Sequence, residues 1–206
     1  MKNLSAGELQ TLLHALRLDK MRESAEGKDL AEFWGTCERG DWMLRLLGRM
    51  CDDEGWPTRL EVCTFLCDVA QSVLPLISSW DKEPARCLDT ARGWGAGTAA
   101  TENVRAAQVL IDRSIAFQFY GSCVSDRVTL DIRAVYAMCA VAFAVTFAAG
   151  LMERPSTLYL STLANGAAGA VARAQAGTQT HRETFRELAD LCRLAVQVEC
   201  TAEAAR

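Results

Sequence analysis

The stretch Ala134–Leu151, AVYAMCAVAFAVTFAAGL, runs for 18 residues without a charged side chain and decides how this chain folds. Its length is at the short end for a transmembrane helix, which needs about 20 apolar residues. About half of it is alanine or glycine, which contributes little transfer free energy, and Tyr136 and Thr146 add polar groups. No clear Lys/Arg asymmetry would orient a single span. We therefore predict a buried central helix, with a membrane span as the alternative.

Helix start and stop signals surround this stretch. Three capping boxes, each a Ser or Thr followed three residues later by Glu, predict helix N-termini. They are Ser5–Glu8, Thr58–Glu61 and Thr180–Glu183. Asp41 is expected to cap a further helix over residues 42–47. Pro75 should end or kink the helix that follows Thr58, and Pro84 has the position of a first-turn proline.

Apolar residues recur at helical spacing between these signals. The predicted stripes are Ala107, Leu110, Ile111 and Ile115; Leu160, Leu163, Ala164, Ala167 and Val171; and Phe185, Leu188, Leu191, Cys192, Leu194 and Ala195. In the central helix, the residues expected to be buried are Ala137, Ala140, Val141, Ala144 and Ala148. Sustained period-2 alternation is lacking. The prediction is an all-α, compact, single-domain bundle of about seven to nine helices over residues 1–206, with an alanine-rich central helix.

Composition indicates which cellular compartment and which classes of partner to expect. The chain has 206 residues and a formal charge of −4, with a pI near 5.3. A mildly acidic protein is a poor candidate for nucleic-acid binding, which needs clustered Lys and Arg. Nine cysteines at irregular spacing, and no long apolar core in Met1–Leu13, favour reduced thiols in the cytoplasm.

Metal and cofactor sites are not expected. Cys63 and Cys67 share a helix face, but a closed zinc site needs four ligands, and only His14 and His181 could add imidazole. Neither histidine lies near a second cysteine pair at zinc-finger spacing. We interpret the two thiols as core side chains stacked at i, i+4. Both histidines are expected at the surface or its boundary.

Catalytic residues are not predicted either. The chain has no Gly-x-Ser-x-Gly elbow and no phosphate-binding glycine loop after a strand. Carboxylates occur in an acidic run at Asp52, Asp53 and Glu54 and again at Asp81, but paired catalytic carboxylates need a cleft that shifts one pKa. The default interpretation is a solvated turn and favourable charges at a helix start. An enzyme whose site lies within the helical core remains a third hypothesis.

Two segments carry a family resemblance. Cys37–Leu47, CERGDWMLRLL, resembles a C-x-R-G-D-W-x-L-x-L opening found in alanine-rich bacterial and phage proteins. Val73–Leu76 (VLPL), Asp81–Leu88 (DKEPARCL) and Ala91–Trp94 (ARGW) resemble the immunity protein family of bacterial polymorphic toxin systems. Glu83 stands where that family's pattern has Arg. The resemblance covers roughly residues 37–149, while 1–36 and 153–206 match nothing.

The resemblance implies an all-α protein that neutralises a cognate toxin without catalysis. Such an inhibitor needs a rigid scaffold and a complementary surface rather than an active site. The candidate contact residues are Asp52, Asp53, Glu54, Asp81 and Arg86, and the four carboxylates among them suit a basic partner surface. Other residues of the motif are expected to be structural, namely Pro84, Leu88, Ala91 and Trp94. The alternative function is a helical structural or adaptor protein, of phage origin, with no toxin partner.

Overall fold

A computed structural model describes residues 1–77, 81–124, 132–150 and 156–197, with side chains omitted for 117–124 and 157. These ranges contain ten α-helices and one 3₁₀ turn, Leu74–Leu76. The helices are α1 (Ala6–Ala15), α2 (Asp19–Ser24), α3 (Leu30–Thr36), α4 (Gly40–Met50), α5 (Arg59–Gln71), α6 (Glu83–Gly95), α7 (Thr101–Val124), α8 (Ile132–Gly150), α9 (Thr157–Ala174) and α10 (His181–Ala195). The predicted all-α class is confirmed. The helix count exceeds seven to nine because α2 and α3 are too short to show a periodic stripe.

The three predicted capping boxes are all present. At the start of α5, the Glu61 amide donates to Thr58 Oγ1 at 3.3 Å, and the Thr58 amide donates to the Glu61 carboxylate at 2.7 Å. Ser5 with Glu8 and Thr180 with Glu183 repeat this reciprocal pattern. Each box satisfies backbone N–H groups that have no partner within the helix.

The predicted cap at Asp41 is wrong. Helix α4 begins at Gly40, so that Asp41 lies inside the first turn and is only 8% exposed. Its carboxylate instead accepts two hydrogen bonds from Arg39, at 2.8 Å from Nε and 2.6 Å from Nη2. The Arg39 guanidinium in turn stacks over the rings of Trp42 and Phe185. Asp41 therefore orients an arginine that joins α4 to α10.

Helix α8 lies at the centre of the molecule, in contact with α5, α6, α7 and α9. The five residues predicted to be buried, Ala137, Ala140, Val141, Ala144 and Ala148, are all 0% exposed. Within the described ranges, α8 is the one helix long and apolar enough to cross a bilayer, and 56% of its apolar window is buried inside the protein. Contact with four helices is the arrangement of a core helix, with small side chains permitting close approach.

One continuous apolar core extends from Leu9 in α1 to Cys192 in α10. Three residues of the predicted stripes do not join it: Leu110 and Leu194 are 40% and 79% exposed, and Ala195 is also exposed. Helical geometry, at about 100° per residue, explains Leu194. It lies roughly 200° around α10 from the buried Cys192 and so faces away from the core.

Helix α10 packs unusually closely against α4. A Cβ atom on Gly40 would lie 2.4 Å from Leu188 Cβ and 2.5 Å from the backbone nitrogen of Ala189. The backbones can approach this far only because Gly40 has no side chain. The C-terminal part of the chain, which matched nothing by sequence, thus covers the start of the C-x-R-G-D-W segment.

Ionic contacts reinforce the same junction. Glu38 accepts hydrogen bonds from Arg182 at 3.1 Å and from Arg186 at 2.7 Å, and these two contacts lower the pKa of its carboxyl group. Arg193 donates to the backbone carbonyls of Trp34 and Cys37. The connection between α3 and α4 is therefore held by arginines from a single helix.

Candidate partner-binding surface

The predicted acidic residues Asp52, Asp53 and Glu54, here called the acidic turn, follow the end of α4. Asp52 is in the left-handed region, with φ of 71°. Its Oδ1 accepts a hydrogen bond from the Arg59 amide at 2.8 Å, and its carboxylate pairs with the Arg59 guanidinium. Asp52 thus fixes the turn to the start of α5, and its charge is already matched.

Asp53 and Glu54 are exposed, as Asp52 is, but they differ from it in their partners. Among the described residues, neither carboxylate forms an ion pair. The backbone beneath them is well anchored, since the Asp53 amide donates to Met50 O and the Trp56 amide donates to Asp53 O, both at 3.0 Å. Two unpaired negative charges are therefore presented on an ordered turn.

Trp56 follows the acidic turn and is half-buried between two depressions. The first is an open groove of about 700 Å³, here called the α1 groove. It is lined by Leu4, Gly7, Glu8, Thr11, Leu12, Ala15, Met50 and Trp56. The second is a cavity of about 260 Å³, lined in part by Leu47, Pro57, Glu61, Val62 and Phe65. The acidic turn thus borders an apolar surface with an aromatic residue at its centre.

The other predicted contact residues, Asp81 and Arg86, lie elsewhere. Asp81 Oδ1 accepts a hydrogen bond from the Glu83 amide at 3.2 Å, and Arg86 pairs with the Glu83 carboxylate at 2.7 Å. Asp81 shares a depression of about 330 Å³ with Gln71, at the C-terminal end of α5. The acidic turn lies at the other end of α5, roughly 18 Å away at 1.5 Å per residue. The structure therefore does not bring the two predicted clusters together.

The motif residues expected to be structural are buried or nearly so. Pro84 is buried, while Leu88 and Ala91 are each 0% exposed. Trp94 is half-buried and packs against the core. Proline is accepted in the first turn of α6, where its missing N–H has no partner to lose.

The thiols lie in the protein interior. Of the seven cysteines with described side chains, all are free, and all except the half-buried Cys139 are buried. The neighbouring thiol of Cys63, together with burial, raises the pKa of the Cys67 thiol. Within the described ranges, no group of three or more His, Cys, Asp or Glu residues could hold a metal ion. His14 and His181 are exposed, as predicted.

The α1 groove was not anticipated from the sequence. One face of α1 is buried in the core, where Leu9 and Leu13 are each 0% exposed. The groove exists because Trp56, more than 40 residues later in the chain, packs beside the neighbouring face of α1. The available signal was the four-residue spacing of the small residues Gly7, Thr11 and Ala15.

Comparison with known proteins gives no relative from which a role could be transferred. No protein family, curated protein sequence or solved structure matches this chain. The resemblance to immunity proteins therefore depends on the motifs in residues 73–94, and a function has to be argued from the surface itself.

Proposed function

We propose that this chain is a noncatalytic, immunity-type protein of the cytoplasm that neutralises a cognate toxin by stoichiometric binding. One observation carries the proposal beyond the resemblance. Asp53 and Glu54, which form no ion pair among the described residues, lie shortly before Trp56 in the chain, and Trp56 forms part of one side of an apolar groove. Productive protein interfaces commonly place an aromatic anchor in an apolar patch and charged residues around it.

The charges and the apolar surface would contribute differently to binding. Exposed carboxylates at the rim attract a basic partner and raise the association rate, an effect that salt weakens. Trp56 and the apolar lining would supply most of the anchoring free energy, which appears in the dissociation rate. Asp52 takes no part in this contact, because its charge is matched by Arg59.

A charge-reversal pair tests the role of the acidic turn. Asp53→Lys/Glu54→Lys should slow association with the toxin encoded beside this chain by about tenfold or more at low salt, with the difference shrinking as salt rises. The matched control is Glu102→Lys/Asp112→Lys, which makes the same charge change at two exposed positions on α7. If both double variants slow association equally, net charge rather than the acidic turn is responsible.

A titration tests the mechanism. Increasing amounts of the purified protein are added to a fixed amount of toxin, and residual toxin activity is measured. Binding predicts that protection saturates at about one inhibitor per toxin. Full protection at a small fraction of that ratio would mean turnover and would contradict the noncatalytic proposal.

A second surface favours the adaptor alternative. Val109 on α7 and Leu158 and Tyr159 on α9 are 51%, 58% and 45% exposed. Val109 and Tyr159 also line a depression of about 510 Å³. An adaptor joins two partners and so needs two such surfaces, whereas an inhibitor needs one. Copurification from the native host separates the two functions: a single stoichiometric toxin supports the inhibitor, and two nontoxic partners support the adaptor.

A further inference from the structure

The α1 groove has the dimensions of a helix-binding site. Its lining extends along α1 from Gly7 to Ala15, a rise of roughly 12 Å at 1.5 Å per residue, with Leu4 just before the helix. That length is slightly more than two helical turns. An amphipathic helix that docks in a groove uses apolar residues at i, i+3 or i+4, and i+7, which span roughly 10 Å.

The two sides of the groove differ in the size of their side chains. On one side, Gly7, Thr11 and Ala15 recur at four-residue intervals and are exposed, and open space surrounds the position of a Cβ atom on Gly7. On the other side lie Met50 and Trp56. A low row at i, i+4 spacing accepts the ridge of an incoming helix, and large side chains opposite it supply contact area.

The charge around the groove indicates which sign of charge a bound helix would carry. Glu8 lines the groove, and Asp53 and Glu54 lie three and two residues before Trp56 in the chain, so three negative charges lie on or beside it; Lys2, which lies against Gly55, carries one positive charge. Asp52 is matched by Arg59. Hydrogen bonds from Ser5 lower the pKa of Glu8, which keeps its carboxylate ionised at neutral pH.

The neighbouring cavity does not change this balance. It contains one carboxylate, Glu61, and one ammonium group, at Met1, so its charges cancel. Glu61 is also occupied as the reciprocal partner of Thr58. The net charge at the groove is therefore about −2, and an acidic helix would be repelled.

We infer that the α1 groove receives a basic amphipathic α-helix of the partner, with its apolar face against Trp56 and Met50 and its basic residues near Glu8, Asp53 and Glu54. This inference rests on the proposed binding function and specifies which element of the toxin is recognised. The described part of the chain has no strand, so it offers no sheet edge to pair with an extended segment.

Three synthetic 18-residue peptides test the recognition directly. The first has Leu at i, i+3, i+4 and i+7 and Lys elsewhere, the second has the same composition in scrambled order, and the third has Glu in place of Lys. Fluorescence anisotropy with the full chain should show the first peptide binding at least tenfold more tightly than the other two. Equal binding of the scrambled peptide would reduce the interaction to charge alone and overturn the inference.

A matched pair of variants locates the binding. Thr11 and Thr162 are both exposed, and each hydroxyl donates to the carbonyl four residues earlier, Gly7 and Leu158 respectively. Thr11→Arg places a long cationic side chain over the groove and should weaken binding of the first peptide at least tenfold, whereas Thr162→Arg on α9 should leave it unchanged. Circular dichroism checks that both variants fold, and Ala15→Arg serves if Thr11→Arg does not. Equal affinities would show that the peptide binds elsewhere.

Toxin titrations separate this inference from the proposed function. If wild type and Thr11→Arg protect equally and with equal affinity, the groove is not the contact and the inference is wrong, while stoichiometric neutralisation stands. If the wild-type chain neither binds nor protects against the neighbouring toxin, the proposed function itself fails. If the wild-type chain binds the toxin and protects against it while Thr11→Arg loses affinity for the toxin, the result supports both the inference and the proposed function.

Discussion

Replacing Gly40 with alanine tests whether close packing of α4 against α10 holds the fold together. The new Cβ would lie 2.4 Å from Leu188 Cβ, 2.5 Å from Ala189 N and 2.6 Å from the Leu188 carbonyl carbon. Carbon atoms pack at about 3.5–4.0 Å, so α10 would have to retreat by about 1 Å. Two of the three atoms are backbone, and no side-chain rotation can relieve the overlap. Overpacking of this kind costs about 1–3 kcal/mol.

Gly35→Ala is the matched control, because it makes the same chemical change within α3, where nothing lies within 4 Å of the new Cβ. Alanine is favoured over glycine inside a helix by about 0.5–1 kcal/mol. Urea unfolding followed by circular dichroism should therefore show Gly35→Ala unchanged or slightly stabilised and Gly40→Ala destabilised by about 2 kcal/mol. In a thermal melt, that loss corresponds to a fall in Tm of about 4–8 °C. Equal stability of the two variants would refute the close-packing argument.

Three further changes probe the core, the acidic turn and the thiols. Ala144→Leu should lower the free energy of unfolding by about 1–3 kcal/mol, because Ala144 is 0% exposed and the core has no room for the larger side chain. Ala142→Leu, at a half-buried position on the same helix, is the control and should lower the melting temperature less. Asp52→Ala should lower the free energy of unfolding by about 1–3 kcal/mol, because the hydrogen bond from the Arg59 amide is lost. Asp52→Gly should recover about 1 kcal/mol of this loss, because glycine tolerates φ of 71°. Equal urea midpoints for the two variants would contradict the left-handed backbone. Burial raises the pKa of Cys51 and Cys87 from about 9 to about 11, so the stability they contribute is intact below pH 9 and is lost as pH rises to about 11. Urea midpoints should therefore fall less steeply over that range in Cys51→Ala/Cys87→Ala than in wild type.

Local signals in the sequence predicted most of the helix boundaries. A capping box needs only two side chains three residues apart, so Thr58 with Glu61 could be recognised without any knowledge of the fold. The buried alanines of α8 could be predicted for a similar reason, since a long uncharged helix in an otherwise polar chain has to be covered by its neighbours. The same reasoning failed at Asp41, where a cap-forming residue is used by Arg39 instead.

Long-range packing determined what could not be predicted. The small residues Gly7, Thr11 and Ala15 at four-residue spacing were visible in the sequence, but nothing within α1 indicates that Trp56 will pack beside it and form the α1 groove. The acidic turn was identified as a charged run, but only the structure separates Asp52, matched by Arg59, from the unpaired Asp53 and Glu54. Asp81 and Arg86 were grouped with them on charge alone, although α5 keeps the two clusters about 18 Å apart.

The structure also explains which role the residues of the C-x-R-G-D-W segment have. Arg39 stacks on Trp42 and is held by Asp41, and Gly40 admits α10, so each of these residues has a structural role at the α4–α10 junction. A match to this segment is therefore evidence for a shared helix packing rather than for a shared partner. Under the proposed binding function, the residues that discriminate between partners lie beyond it, at the exposed Asp53 and Glu54 and at the exposed Gly7, Thr11 and Ala15 of the α1 groove, outside the core. Proteins with the same segment but different residues at positions equivalent to Asp53 and Glu54 should thus share the fold and bind different partners.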